Sequence, residues 1–125
     1  MSADVSELLA YASHVGSVID RAEGELSKVV ERGAVNIKRD AVSILRSYSR
    51  GAYLKHYPRS ISYDMTEKLV AEIGPDASMP QGGMGTGIEF GSVHTPPMPH
   101  LFPALDQEEP RFGKNVAGIV ARYLK

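Results

Sequence analysis

The apolar positions at the start of the chain fall in steps of three and four. Val5, Leu8, Leu9, Ala12, Val15, Val18, Ile19, Ala22, Leu26, Val29 and Val30 would line one face of an amphipathic helix. Ser2 or Asp4 can cap it, and Asp4 and Glu7 suit the positive end of its dipole. Gly16 and Gly24 each cost about 1 kcal/mol relative to alanine, so the helix leans on packing or on a neighbour. Gly33 permits a stop or a bend. A second helical set follows at Ala34, Ile37, Ala41, Ile44, Leu45 and Tyr48, with Lys38, Arg39, Asp40, Ser43 and Arg46 opposite it. The apolar phase nearly carries across Gly33, so residues 1–50 form either one long bent helix or two, ended by Ser49-Arg50-Gly51.

Beyond Tyr57-Pro58 the period changes to two. Ser60–Met65 and Lys68–Ile73 read as a β-hairpin joined at Thr66-Glu67 with one buried face, closed by Gly74-Pro75-Asp76. Residues 77–87 hold four glycines and predict a mobile loop. Ile88-Glu89-Phe90 then reads as a short third strand stopped by Gly91. Half of the 12 glycines lie between Gly74 and Gly91, which makes the middle of the chain rich in loops.

Pro96, Pro97, Pro99 and Pro103 pace the next segment. Each lacks an N–H and fixes φ, so residues 93–102 cannot be a regular element. They read as a stiff surface arm offering Met98, Leu101 and Phe102 to a neighbour. From Pro103 the set Leu105, Phe112, Val116, Ile119, Val120, Tyr123 and Leu124 is helical again, with Pro110 expected to break or kink it. The expectation is a single α+β domain over residues 1–125: a helical 1–50, a small antiparallel sheet with its glycine-rich loop over 57–92, the arm, and a C-terminal helix over 103–125.

Composition narrows the function. The net charge of −1, from 14 basic and 15 acidic residues, argues against nucleic acid or an anionic membrane as the main partner. The absence of cysteine excludes disulfides and thiolate metal sites and suits a reducing cytosol. No apolar run approaches the ~20 residues of a membrane span, and Met-Ser-Ala-Asp lacks a signal peptide's basic start. The expectation is a soluble protein made in cytoplasm.

Candidate chemistry is sparse. Gly82-Gly83-Met84-Gly85-Thr86-Gly87 lacks the Lys-Ser/Thr of a phosphate loop, and no helix is predicted after it. His94 and His100 are spaced neither as helical ligands nor as a turn pair. With His14 and His56 they read as isolated surface imidazoles, so no metal site is expected. Ser92 lacks the second glycine of a nucleophile elbow, and Glu108 and Glu109 read as exposed charges at a helix start. No catalytic residue and no cofactor are expected. Lys38, Arg39, Arg46, Arg50, Lys55, His56 and Arg59, interleaved with Tyr48, Tyr53, Tyr57 and Tyr63, could touch nucleic acid; a solvated helix face with tyrosines at a core edge or interface explains them more simply.

Taken in order, several segments resemble the tail-component family of long-tailed bacteriophages, small proteins encoded between head-connector and tail-tube genes. They are Ala34-Val35-Asn36-Ile37-Lys38-Arg39-Asp40-Ala41, Arg59-Ser60-Ile61, Glu72-Ile73-Gly74, Glu89-Phe90-Gly91-Ser92 and His100-Leu101-Phe102-Pro103-Ala104-Leu105. The likeness runs over nearly the whole chain. The chain departs from the family pattern where Ser49–Pro58 replaces Pro-x-Asp-Thr-Gly and where Ser92 replaces threonine. The resemblance implies a non-enzymatic virion protein of the neck that joins the head connector to the tail tube, or a tail terminator capping that tube. It also implies a homo-hexameric ring contacting connector and tail-tube or tail-terminator proteins, with DNA met only in the ring lumen and no membrane. Glu89, Phe90, Met98, Leu101 and Phe102 are the expected interface. The contrasting expectation is a small cytoplasmic nucleic-acid-binding protein using the Lys38–Arg59 region.

Overall fold

A computed structural model describes residues 5–48 and 53–124. The expected caps Ser2 and Asp4 and the expected helix end at Ser49-Arg50-Gly51 lie outside these residues. The protein is α+β: a long N-terminal helix, a two-stranded antiparallel sheet and a C-terminal helix.

Helix α1 (Val5–Arg46) runs unbroken for 42 residues, about 63 Å at 1.5 Å per residue. Gly33 is a point of close approach and no stop: a Cβ there would lie 3.5 Å from Phe112 Cδ2. A short helix α2 (Tyr57–Ser60) leads into β1 (Ile61–Glu67), which pairs with β2 (Val70–Pro75). The register Ile61↔Pro75, Tyr63↔Ile73 and Met65↔Ala71 confirms the hairpin. Its turn lies at Lys68-Leu69, two residues later than the pattern suggested, because one extra residue of β1 is accommodated between Met65 and Glu67.

Two expectations in the middle of the chain are corrected. Ile88–Phe90 is no strand: it ends helix α3 (Gly85–Phe90), which follows a 3-10 turn at Gly82–Met84. A strand would send Ile88 and Glu89 to opposite faces, whereas both are buried here. The glycine-rich stretch has a defined path, held by Gln81. The side chain of Gln81 accepts from the backbone N–H groups of His56 (2.8 Å) and Tyr57 (3.0 Å) and donates to the Tyr53 carbonyl (3.2 Å).

Helix α4 (Leu101–Tyr123) is also unbroken, with Pro110 inside it. Pro110 and Asp106 are both exposed, so water can serve the Asp106 carbonyl that the proline leaves unpaired. α4 lies antiparallel on α1 from Asp40–Arg111 (2.8 Å) through Gly33–Phe112 to Glu25–Arg122 (3.0 Å). The core lies at the other end, where Ile37, Ala41 and Leu45 of α1 meet Leu54, Tyr57, Ile61, Ile88, Met98 and Ala104.

Candidate assembly surface

The proline-paced arm is pinned from below. The Glu89 carboxylate, at the end of α3, accepts from the backbone N–H groups of His100 (3.1 and 3.2 Å), Leu101 (2.8 Å) and Phe102 (3.3 Å). A helix start leaves its first four N–H groups without intrahelical partners. Position four here is Pro103, which has none, so one carboxylate serves every donor at the start of α4. The negative charge also sits at the positive end of the helix dipole.

His100 completes the clasp. Its Nδ1 lies 2.8 Å from the Met98 carbonyl and 3.1 Å from Glu89 Oε1, both acceptors, so Nδ1 carries the proton. With the proton on Nδ1, Nε2 is the ring atom that faces the Tyr57 hydroxyl, at 2.8 Å. Burial, and next the negative charge of Glu89, push the Tyr57 hydroxyl up to about 12, so it remains a donor at neutral pH. The rings meet edge to face, with centroids 5.4 Å apart. Tyr57 and His100 are closed to solvent and Glu89 nearly so. The arrangement holds the arm to the core and offers no open face to a substrate. Two glycines make room for it. A Cβ at Gly85 would lie 2.4 Å from Pro75 Cγ and 3.2 Å from the Tyr57 hydroxyl, and Gly91 has φ +86°.

The five expected interface residues therefore separate. Met98 is a core side chain and Glu89 a buried cap, so neither can anchor a partner; Leu101 is half-buried against the core. Phe90 (63% exposed) and Phe102 (54% exposed) stand together at the surface, with centroids 5.7 Å apart. Exposed Leu105, absent from the expected set, extends this patch over an apolar groove of about 220 Å³ floored by Ile37 and Ile73.

Other polar residues also move inward. Glu108 is buried and accepts both 3.0 Å bonds from Asn36, with Arg111 Nε 3.5 Å away, so it is no exposed charge at a helix start. His100 is likewise no surface imidazole. Of the tyrosines read beside the basic cluster, Tyr57 is buried, Tyr48 donates to the Pro99 carbonyl and Tyr63 donates to Glu31. Burial removes Tyr57 as a stacking platform.

Two further surfaces lie on α1. Val35, Lys38, Arg39, Val42, Arg46 and β1's Tyr63 line a groove of about 610 Å³ with a valine floor and a basic rim. At the other end of the helix, residues 5–17 project beyond α4, whose last turn brings Tyr123 under Arg21. Val5, Leu8, Leu9 and Tyr11 are exposed there.

Among the described residues, no three His, Asp or Glu side chains are grouped to hold a metal, and no helix is long and apolar enough to cross a membrane. Compared with known proteins, the chain matches no family model, no curated sequence and no solved structure.

Proposed function

We propose that this chain is a ring-forming structural subunit of the neck of a long-tailed phage, joining the head connector to the tail tube. The observation that carries the reading is the separation of exposed apolar surface from the folded core. Phe90, Phe102 and Leu105 form one patch, and the first turns of α1 another, each outside a core whose buried side-chain polar atoms are all paired among the described residues. Clustered exposed apolar side chains suit contact sites, and a closed ring covers them without leaving a sticky edge. The Glu89-Phe90-Gly91-Ser92 and Pro103-Ala104-Leu105 segments that resemble the tail-component family flank this clasp and patch, which supports the same reading.

In this role the protein is non-catalytic and resides in the virion. A hexamer matches tail symmetry, and its neighbours are connector and tail-tube or terminator proteins. The test is Phe102→Ala in an infecting phage. Heads and tails should accumulate unjoined while the purified subunit remains folded. Normal joining would remove Phe102 from the interface, and a protein absent from purified virions would overturn the neck assignment.

A further inference from the structure

The projecting end of α1 and the basic groove on its back are complementary. Around the helix, Val5, Leu8, Ala12, Val15 and Ile19 share one stripe, with Asp20 about 100° to one side of its centre and Glu7 about 120° to the other; no lysine or arginine occurs from Val5 to Asp20. The groove presents the converse: a floor of Val35 and Val42 between Lys38 on one side and Arg39 and Arg46 on the other. Apolar meets apolar, and a helix end that carries acids and no lysine or arginine meets a groove with a basic rim.

One chain cannot satisfy both halves. Ala12 and Val42 stand on the same continuous helix, about 45 Å apart at 1.5 Å per residue. Two copies cannot satisfy them reciprocally across a two-fold axis either. Val42 is turned about 140° around the helix from Ile19, and Val35 by the same angle from Ala12, at 3.6 residues per turn. Stripe and groove therefore point in different directions, and each copy must use two different neighbours. Aliphatic valines on the groove floor suit another helix better than stacked bases.

We propose that residues 5–19 of one copy dock into the groove formed by Val35, Lys38, Val42 and Arg46 of the next, a head-to-tail contact repeated around the assembly. The inference builds on the ring-forming reading and supplies the surface that closes the ring. The acidic charge of this segment favours the basic rim, while the apolar stripe supplies most of the buried area.

The chain has no cysteine, so an engineered pair reports the contact directly. Under mild oxidation the full-length double variant Ala12→Cys/Val42→Cys should give a ladder of covalent multimers, and each single variant should stay uncrosslinked. In sedimentation, Lys38→Glu/Arg46→Glu should weaken self-association at least tenfold, with partial recovery on adding Glu7→Lys; circular dichroism would confirm that each variant is folded. Efficient dimers from Ala12→Cys alone would overturn the proposal, since stripe would then meet stripe. So would a double variant that does not crosslink while the parent chain multimerises. Unchanged oligomer size in Lys38→Glu/Arg46→Glu, with loss of a salt-sensitive duplex DNA affinity, would reassign the groove to nucleic acid. A crosslinked ladder from a protein absent from virions would uphold this contact and overturn only the neck role.

Discussion

The two ends of α1 differ in what surrounds them. Near its C-terminus, Ile37, Ala41 and Leu45 face a core in which even the polar side chains are satisfied, the Glu89–His100–Tyr57 clasp above all. Near its N-terminus, the same spacing of apolar residues continues with no α4 beside it. The same helical pattern therefore serves folding at one end and is left for contact at the other. The sequence period alone does not distinguish these uses, because it reports a face and says nothing of what covers it.

Substitutions at the folded end should be the most damaging. Glu89→Ala strips one buried and two part-buried backbone N–H groups of their acceptor and should cost about 2–4 kcal/mol in urea unfolding, whereas Glu89→Gln, which keeps one acceptor oxygen, should cost roughly half as much. Met98→Ala, at a fully buried side chain, should cost about 3 kcal/mol. A near-neutral result at either site would return that residue to the surface and erase the contrast between the two ends.

The clasp should also show in alkali. The folded-state pKa of Tyr57 is raised from 10 to about 12, so its contribution is fully present below pH 10 and lost as pH rises through 12. Stability should fall by about 2 kcal/mol across that window, and Tyr57→Phe should flatten the fall. An unchanged slope in Tyr57→Phe would mean that the hydroxyl titrates as it does in the unfolded chain.

At exposed positions, whether beside the clasp or at the projecting end of α1, the effects on folding should be small. Phe102→Ala should change subunit stability by less than about 1 kcal/mol, because over half of the residue is already in water. Gly16→Ala meets open space and should strengthen the local helix by about 1 kcal/mol. Slower amide exchange over residues 5–19, with an unchanged global unfolding midpoint, would mark this stretch as independent of the core.

The α+β order, the hairpin and both long helices are legible from periodicity and turn residues. The arm is not. Its proline content rules out regular structure, but nothing local shows that Met98 turns inward or that Glu89 reaches 11 to 13 residues ahead to serve α4. Such pairings depend on the tertiary path. The signal closest to them is the sequence of Pro103 itself: a proline at the third helical position leaves few donors, few enough for one carboxylate. The short Gly-Ile-Glu-Phe segment misleads because three apolar-acidic-apolar residues fit either period. Among the candidate surfaces, Phe90 and Phe102 are exposed aromatics, while Leu105 is hidden within a helix pattern that reads as core.

The pairing of α1 with α4 has a consequence for synthesis. The two helices stand at opposite ends of the chain, and Arg122–Glu25 spans 97 residues. α4 starts about 55 residues after α1 ends, so at 5–20 residues per second the apolar stripe of α1 waits roughly 3–11 s for its partner. Over that interval it is open to chaperones and to the stripes of sister chains on the same message, so the order of translation favours an early encounter between copies.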